Sequence, residues 1–218
     1  MTARKYQATG LQAEYEPGSR SRVLRNLVGL TRVGEIGEAE SQALLLAQAQ
    51  AIERCGDDQR FTAQDICDLH RLWLAPLYAW AGEYRTVNIG KGGFQFAHAP
   101  LIQGLMSELE RGALAEFTPC RPAPDAQIAK ALATVHADLI LIHPFREGNG
   151  RVARLLALLM GFQAGLPALD FLPIAGANKS AYITGIHAAL GRDYAPLTRM
   201  FERVISQTWK QHAASSAP

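Results

Sequence analysis

The stretch from His143 to Arg154 reads HPFREGNGRVAR and carries the strongest structural signal in this chain. It combines a histidine, a carboxylate, a Gly-Asn-Gly turn and two arginines, and it lies between the apolar runs 139–142 and 155–160. Polar groups between two buried segments are costly unless chemistry or anion binding requires them there. The stretch is therefore interpreted as an active-site loop between two helices.

The first half of this stretch suits proton transfer and metal binding. Pro144 keeps the preceding residue out of helical geometry, so His143 should end the incoming helix. A neutral imidazole there can accept a proton from a hydroxyl nucleophile. Phe145 should anchor the loop in the core, and Glu147 offers an oxygen ligand of the kind that Mg²⁺ prefers.

The second half suits phosphate. Glycines at 148 and 150 tolerate positive φ, so the turn can direct successive N–H groups towards one anion at the N-terminus of the next helix. Arg151 and Arg154 lie three residues apart on one face of that helix, and two cations at this end predict a counter-anion. Each feature also has an ordinary explanation: a buried structural histidine, a common turn, or surface arginines. Their concentration in one stretch favours phosphate chemistry.

Composition sets the broad class. With 218 residues, 48% of them apolar, the chain can bury a sizeable core, and its net charge of +2 gives no reason to expect nucleic-acid binding. Three widely spaced cysteines suggest neither a disulfide framework nor a metal site. No signal peptide or membrane span is evident, so we expect a cytoplasmic protein with no membrane partner, although delivery into another cell would leave no such trace.

Periodicity predicts an all-α domain with one β-hairpin. Residues 86–89 and 94–97 flank a glycine-rich turn and read as the two strands. We predict a flexible N-terminus over 1–14, a single domain over 15–209 and a flexible tail over 210–218. The predicted helices share 3.6-residue apolar spacing and cover 21–54, the segment that follows Thr62, 100–117, 125–142, the segment from the loop to 164, 180–190 and 194–209.

These residues also carry a family resemblance. The stretch from His143 to Arg154 resembles the Fic signature H-x-F-x-[D/E]-G-N-G-R-x-x-R at every specified position. The segment Tyr78–Val87, YAWAGEYRTV, is similar to the family's W-A-G-E-x-R segment before its flap, and Val23–Thr31 is similar to the opening helix of short members. The resemblance covers about residues 15–205. It implies the Fic fold, a compact helical bundle with one β-hairpin flap beside the active-site loop.

The resemblance also implies a reaction. His143 would deprotonate a Ser, Thr or Tyr hydroxyl of a target protein, whose oxygen attacks the α-phosphate of ATP, so that AMP is transferred and pyrophosphate released. Glu147 would bind Mg²⁺, and Asn178 and Tyr182 would contact adenine, whereas His136 would be structural. The expected nucleotide and phosphate ligands in the loop are Arg146, Gly148, Asn149, Gly150, Arg151 and Arg154. The expected target-docking residues of the flap are Thr86, Val87, Ile89, Lys91, Phe94 and Phe96.

Many members of this family inhibit themselves through a helix with the pattern [S/T]-x-x-x-E-[G/N]. Two segments here match it up to Glu35 and up to Glu202, and both fail at the last position. We therefore expect a separate small antitoxin protein to supply the inhibitory glutamate, with a type II topoisomerase subunit as the favoured target. The alternatives are transfer of UMP, GMP or phosphocholine, a Doc-like protein kinase, and a non-catalytic helical module that binds protein or DNA.

Overall fold

The computed structural model describes Gln12 and residues 14–215, and the chain divides into two compact units. The first comprises residues 1–54, 63–107 and 142–152, and the second comprises 55–62, 108–141 and 153–218. Most of the predicted flexible N-terminus, 1–14, and the end of the predicted tail, 216–218, lie outside the described residues. The single domain over 15–209 stays a prediction.

The first unit is built on two helices and a hairpin. Helix α1 (Val33–Arg54) packs against α2 (Ala63–Leu74), which begins directly after the predicted cap Thr62. The inward face of α2 follows helical spacing and carries the buried side chains Ile66, Leu69, His70, Trp73 and Leu74. The hairpin strands β1 (Gly90–Lys91) and β2 (Phe94–Gln95) follow, and α3 (Ile102–Leu109) begins in this unit.

The segment before α1 departs from the prediction. The sequence predicts a helix from residue 21, but α1 begins only at Val33, so the resemblance of 23–31 to an opening helix is not reflected in the structure. Asn26 explains the difference, since its side chain bonds the backbone of Leu24 and of Leu30. Asparagine competes in this way with helical hydrogen bonding. Positive φ at Ser21 and Gly29 also excludes a continuous helix.

The hairpin is confirmed but is shorter than predicted. Gly90 pairs with Gln95 and Lys91 with Phe94, and positive φ at the two central glycines gives the tight turn that such hairpins prefer. The stretch 86–89 is not a strand. The alternation of apolar and polar residues over this stretch instead reflects burial, because Val87 and Ile89 are buried and Phe96 packs against them.

Among its described residues, the second unit contains helices and connecting loops and no strand. Its helices are α4 (Ala115–Phe117), which follows a π-helical turn over Glu110–Leu114, then α5 (Asp125–Ile142), α6 (Asn149–Gln163), α7 (Lys179–Ala188) and α8 (Ala195–Ser215). Both α5 and α6 are buried around most of their circumference, which marks them as the interior. Helix α8 continues to Ser215, so residues 210–215 of the predicted tail are helical, and their flexibility stays a prediction.

The class prediction, all-α with one β-hairpin, is therefore confirmed for the described residues. Within them, no helix combines the length and apolarity needed to cross a membrane.

Candidate active site

The loop between α5 and α6 is shaped by its own sequence. Helix α5 ends at Ile142, and His143 leaves helical geometry directly before Pro144, as the proline predicts, but its φ of 52° lies in the left-handed region and not in the extended region that a following proline favours. The side chain of Asn149 then closes the loop. Its Oδ1 accepts the N–H of Phe145 and its Nδ2 donates to the Phe145 carbonyl, both at 2.8 Å. A single amide side chain thus fixes the turn between the two helices.

The Gly-Asn-Gly turn is only partly as predicted. Gly148 has a φ of 85°, whereas Asn149 and Gly150 already belong to α6 and do not have positive φ. The Gly148 N–H donates to Glu147 Oε1 at 3.2 Å, and its carbonyl accepts the N–H of Arg151 at 3.0 Å. The turn therefore determines where α6 begins. The N–H groups of the first helical turn are then unpaired within the helix and can stabilise an anion.

His70, which lies on α2, supports the loop from the protein interior. Its ring stacks on Phe145 with 3.9 Å between centroids. Its Nδ1 accepts the N–H of Gly82 at 2.8 Å, and its Nε2 lies 3.1 Å from the Glu147 carbonyl, so the proton belongs on Nε2. Burial lowers the pKa of His70 to about 4. The imidazole is therefore neutral at physiological pH and links the loop to the segment around Gly82.

This depressed pKa predicts acid sensitivity. Because the folded pKa of His70 lies below the unfolded value, its contribution to stability is present above pH 6.5 and is lost as the pH falls towards 4. Between pH 7 and pH 5 the free energy of unfolding should fall by roughly 2 kcal/mol through this residue. Urea unfolding at both pH values checks this for the wild type and for His70→Gln, in which the fall should be smaller. An equal fall in both proteins would contradict the assignment.

Arg85 connects the loop with the hairpin. Its buried guanidinium donates to four carbonyls: Nε to His143 at 2.8 Å, NH1 to Val87 at 2.7 Å, and NH2 to Ala97 and, at 3.4 Å, to Ile142. Burial lowers the pKa of Arg85 to about 10, which leaves it charged at neutral pH. Since Val87 and Ala97 stand at the two ends of the hairpin segment, one arginine fixes both ends of the flap to the residue that precedes Pro144.

The flap contacts His143 directly. Phe96 stacks on the imidazole with 3.7 Å between centroids and 15° between planes. The predicted position of the flap beside the active-site loop is therefore confirmed within the first unit. Of the six predicted docking residues, Val87 and Ile89 are buried and cannot meet a target without rearrangement. Thr86 and Lys91 are exposed and Phe94 is half-buried.

Arg151 has an internal counter-anion that the sequence did not reveal. Its NH2 lies 2.8 Å from Oε2 of Glu40, a residue of α1, and 4.0 Å from Oε1 of Glu147. Glu40 Oε1 accepts the hydroxyl of Tyr78 at 2.7 Å. Burial and this hydrogen bond raise the pKa of Tyr78, which therefore remains a protonated donor. The counter-anion predicted for Arg151 is at least in part this carboxylate.

Arg146 is buried and contacts the N-terminal part of the first unit. Its side chain is 1% exposed, and its Nε donates to the Gln12 carbonyl at 2.6 Å. This hydrogen bond lies within the first unit and joins Gln12 to the loop. The contact of Arg146 with the nucleotide stays a prediction.

The remaining predicted residues belong to the second unit. The Tyr182 hydroxyl lies 2.8 Å from Nε2 of His136, whose pKa burial lowers to about 3. Burial raises the pKa of Tyr182 to about 12, while the charge of Arg154 lowers it. His136 is thus a neutral buried histidine, consistent with the structural role expected for it. Asn178 is exposed at the start of α7, and its contact with adenine stays a prediction.

Comparison with known proteins agrees with this geometry. A sequence model described as the Fic/DOC family matches residues 60–160, which include the whole loop. A probable protein adenylyltransferase of Sinorhizobium fredii is 28% identical over 84% of this chain and 91% of its own length. The probable protein adenylyltransferase Fic of Salmonella typhimurium is 29% identical over 85% of this chain and 88% of its own.

Solved structures show the same fold. The BepC protein of Bartonella tribocorum, crystallised with bound AMPPNP, superposes with a TM-score of 0.71 at 23% identity and covers 87% of this chain and 94% of its own. The Fic domain of the Bep5 protein of Bartonella clarridgeiae also gives a TM-score of 0.71, at 20% identity, over 95% of this chain and all of its own. The chain is therefore similar to the Fic/DOC family over residues 60–160, which include the complete signature, and its fold is that of solved Fic domains.

Proposed function

We propose that this chain is a protein adenylyltransferase, which transfers AMP from ATP to a Ser, Thr or Tyr hydroxyl of a target protein. The observation that carries the proposal is the loop itself: His143 follows the last residue of α5 in a non-helical conformation, and Gly148, Asn149 and Gly150 form the N-terminus of α6 later in the same loop. The relatives in Sinorhizobium fredii and Salmonella typhimurium bear the same enzyme name and align over most of their lengths.

In the proposed reaction His143 accepts the proton of the target hydroxyl. The hydroxyl oxygen attacks the α-phosphorus, the bond from that phosphorus to the bridging oxygen breaks, and pyrophosphate leaves with the bond electrons. Backbone N–H groups at the start of α6 stabilise charge that develops on the phosphate oxygens. The stack of Phe96 on the imidazole leaves the ring edge as the route to the proton.

Arg151 and Arg154 are proposed to hold the outer phosphates, because guanidinium groups bind phosphate through paired N–H donors. Arg151 is 26% exposed at its side chain, so it can meet a ligand while it keeps its contact with Glu40. Arg154 follows it by three residues along α6. Asn178 and Tyr182 are proposed to contact the base.

A Mg²⁺ ion fits the chemistry of Glu147. Its carboxylate is 21% exposed at the side chain and stands at the start of α6. Among the described residues no three His, Cys, Asp or Glu side chains gather into a metal-binding group. A Mg²⁺ ion held by one carboxylate and by phosphate oxygens is the usual arrangement in nucleotide sites, and it would neutralise charge on the leaving group.

The flap is proposed to hold the target by strand pairing. The hairpin is a two-stranded sheet, and an extended peptide can add to the edge of such a sheet through main-chain hydrogen bonds. The side chains in a position to contact such a peptide are Thr86, Lys91 and Phe94. Because Arg85 fixes both ends of the flap, a docked segment would be presented at a constant distance from His143.

A separate antitoxin protein is proposed to inhibit the enzyme. Glu35 pairs with Arg32 at 3.1 Å and both side chains are exposed, while Glu202 is exposed on α8 in the second unit. We therefore expect Glu35→Gly and Glu202→Gly to leave the transfer rate of the isolated chain unchanged, within about twofold. A severalfold increase in either variant would mean that the inhibitory segment lies within the chain.

Label transfer from ATP tests the proposed function. The chain is incubated with ATP that is labelled at either the α- or the γ-phosphate. The target is either a bacterial lysate or purified type II topoisomerase subunits, which are candidate targets from the cytoplasm. Label from the α-phosphate alone should appear in a protein band, and chelation of Mg²⁺ with EDTA should abolish it. His143→Ala is the control without activity. Label from the γ-phosphate alone would make the chain a kinase and overturn the proposal.

A further inference from the structure

Glu40 is an unusual residue for the middle of an exposed helix. It is 8% exposed, although α1 is otherwise rich in exposed polar residues, and it lies 111 positions before Arg151 in the sequence. Both of its carboxylate oxygens are used: one accepts the Tyr78 hydroxyl at 2.7 Å and the other accepts Arg151 NH2 at 2.8 Å. A buried carboxylate is stable only with such partners.

A second contact fixes the same arginine from another side. The guanidinium carbon of Arg151 lies 4.4 Å from the ring centroid of Trp73, in a cation–π arrangement. Trp73 is itself fully buried, and its Nε1 donates to the backbone carbonyl of Glu40 at 2.8 Å. The carboxylate and the aromatic ring that hold Arg151 are therefore tied to the same residue of α1.

From this arrangement we propose that Glu40 is a positioning residue, which holds Arg151 in the conformation that receives the phosphates of ATP. The proposal rests on the proposed function. Both carboxylate contacts of Arg151 use NH2, and a guanidinium carries five N–H donors, so donors remain for a ligand. An arginine that is already ordered loses less side-chain freedom when ATP binds.

The geometry distinguishes this role from inhibition. An inhibitory carboxylate must leave the arginine before ATP can bind. Glu40 is fixed by Tyr78 and by the bond from Trp73 to its own backbone, within the 22-residue helix α1. The residues around Glu40 also lack the inhibitory pattern, since Ile36 stands four positions before it and Ser41 follows it. Glu40 thus supports the site permanently.

ATP affinity of the full chain, measured by titration calorimetry, tests the proposal without any target. Glu40→Met, which removes the contact, should raise the Kd for ATP about tenfold, the effect of one unfixed long side chain. Glu40→Gln can still accept from Arg151 and pair with Tyr78, and should stay within about threefold of the wild type. The AMP transfer rate at saturating ATP should change less than the affinity does.

Two further variants complete the experiment. Glu38→Met changes an exposed glutamate of the same helix and should leave the Kd unchanged. Tyr78→Phe removes one tether of Glu40 without touching Arg151, and should raise the Kd by a smaller factor even if Glu40→Met does not fold. Tighter ATP binding or faster transfer in Glu40→Gln and Tyr78→Phe would overturn the proposal and make Glu40 an inhibitor. Wild-type chain that binds ATP but transfers no AMP would refute the proposed function, while the comparison of Kd values still decides the role of Glu40.

Discussion

Replacing His143 with alanine should lower the rate of AMP transfer by between about a hundredfold and ten-thousandfold, the usual contribution of a general base. The loss should fall on kcat, because the backbone N–H groups at the start of α6 remain available to ATP. Alanine also keeps the carbonyl that accepts Arg85 Nε, so the loop retains its connection to the flap. Initial rates of transfer from α-labelled ATP at saturating concentration measure the effect.

A matched control shows whether the loss of rate is specific to His143 or follows from the removal of any histidine. His187→Ala changes an exposed histidine of α7 in the second unit and should keep the wild-type rate within about twofold. ATP affinity should be similar in both variants and in the wild type. If His143→Ala kept the wild-type kcat, the proton would have to go to another group, and the role assigned to His143 would be wrong.

A structural feature can be predicted from the sequence when the residues that cause it are close together along the chain. Pro144 excludes its own neighbour from helical geometry, so the end of α5 at Ile142 follows from adjacent residues. The hairpin turn likewise follows from consecutive glycines. The strands β1 and β2 are shorter than the sequence predicts. The alternating pattern over 86–89 reflects the burial of Val87 and Ile89 and does not indicate strand pairing.

The missed residues act over long separations. Glu40 lies in an Ala- and Gln-rich helix whose sequence does not show which glutamate turns inward, and its partner Arg151 is 111 residues away. His70 supports the loop from 77 residues away, and only the three-dimensional structure brings it to Glu147. Arg85 stands in the segment that resembles the family, but its four carbonyl partners could not be predicted from the sequence.

Replacing Gly148 with alanine should destabilise the fold by about 2–5 kcal/mol, for two reasons that add. A φ of 85° costs a residue with a Cβ roughly 1–2 kcal/mol. The added Cβ would also stand 2.6 Å from Cζ3 of Trp73, and forced overpacking costs typically about 1–3 kcal/mol. Trp73 cannot move aside easily, since it is fully buried and its Nε1 is bonded to the Glu40 carbonyl.

Gly165→Ala isolates the conformational part of this cost. Gly165 has a φ of 79°, but an added Cβ would meet nothing within 4 Å, so only about 1–2 kcal/mol should be lost. Urea unfolding of both variants and of the wild type measures the difference. An equal loss in the two variants would show that the packing of Trp73 against the turn yields to an extra methyl group. A larger loss of stability in Gly148→Ala, together with loss of AMP transfer, would mean that Trp73 packs against the start of α6 with no free space. The packing of the core would then determine the position of the N–H groups that are proposed to bind phosphate.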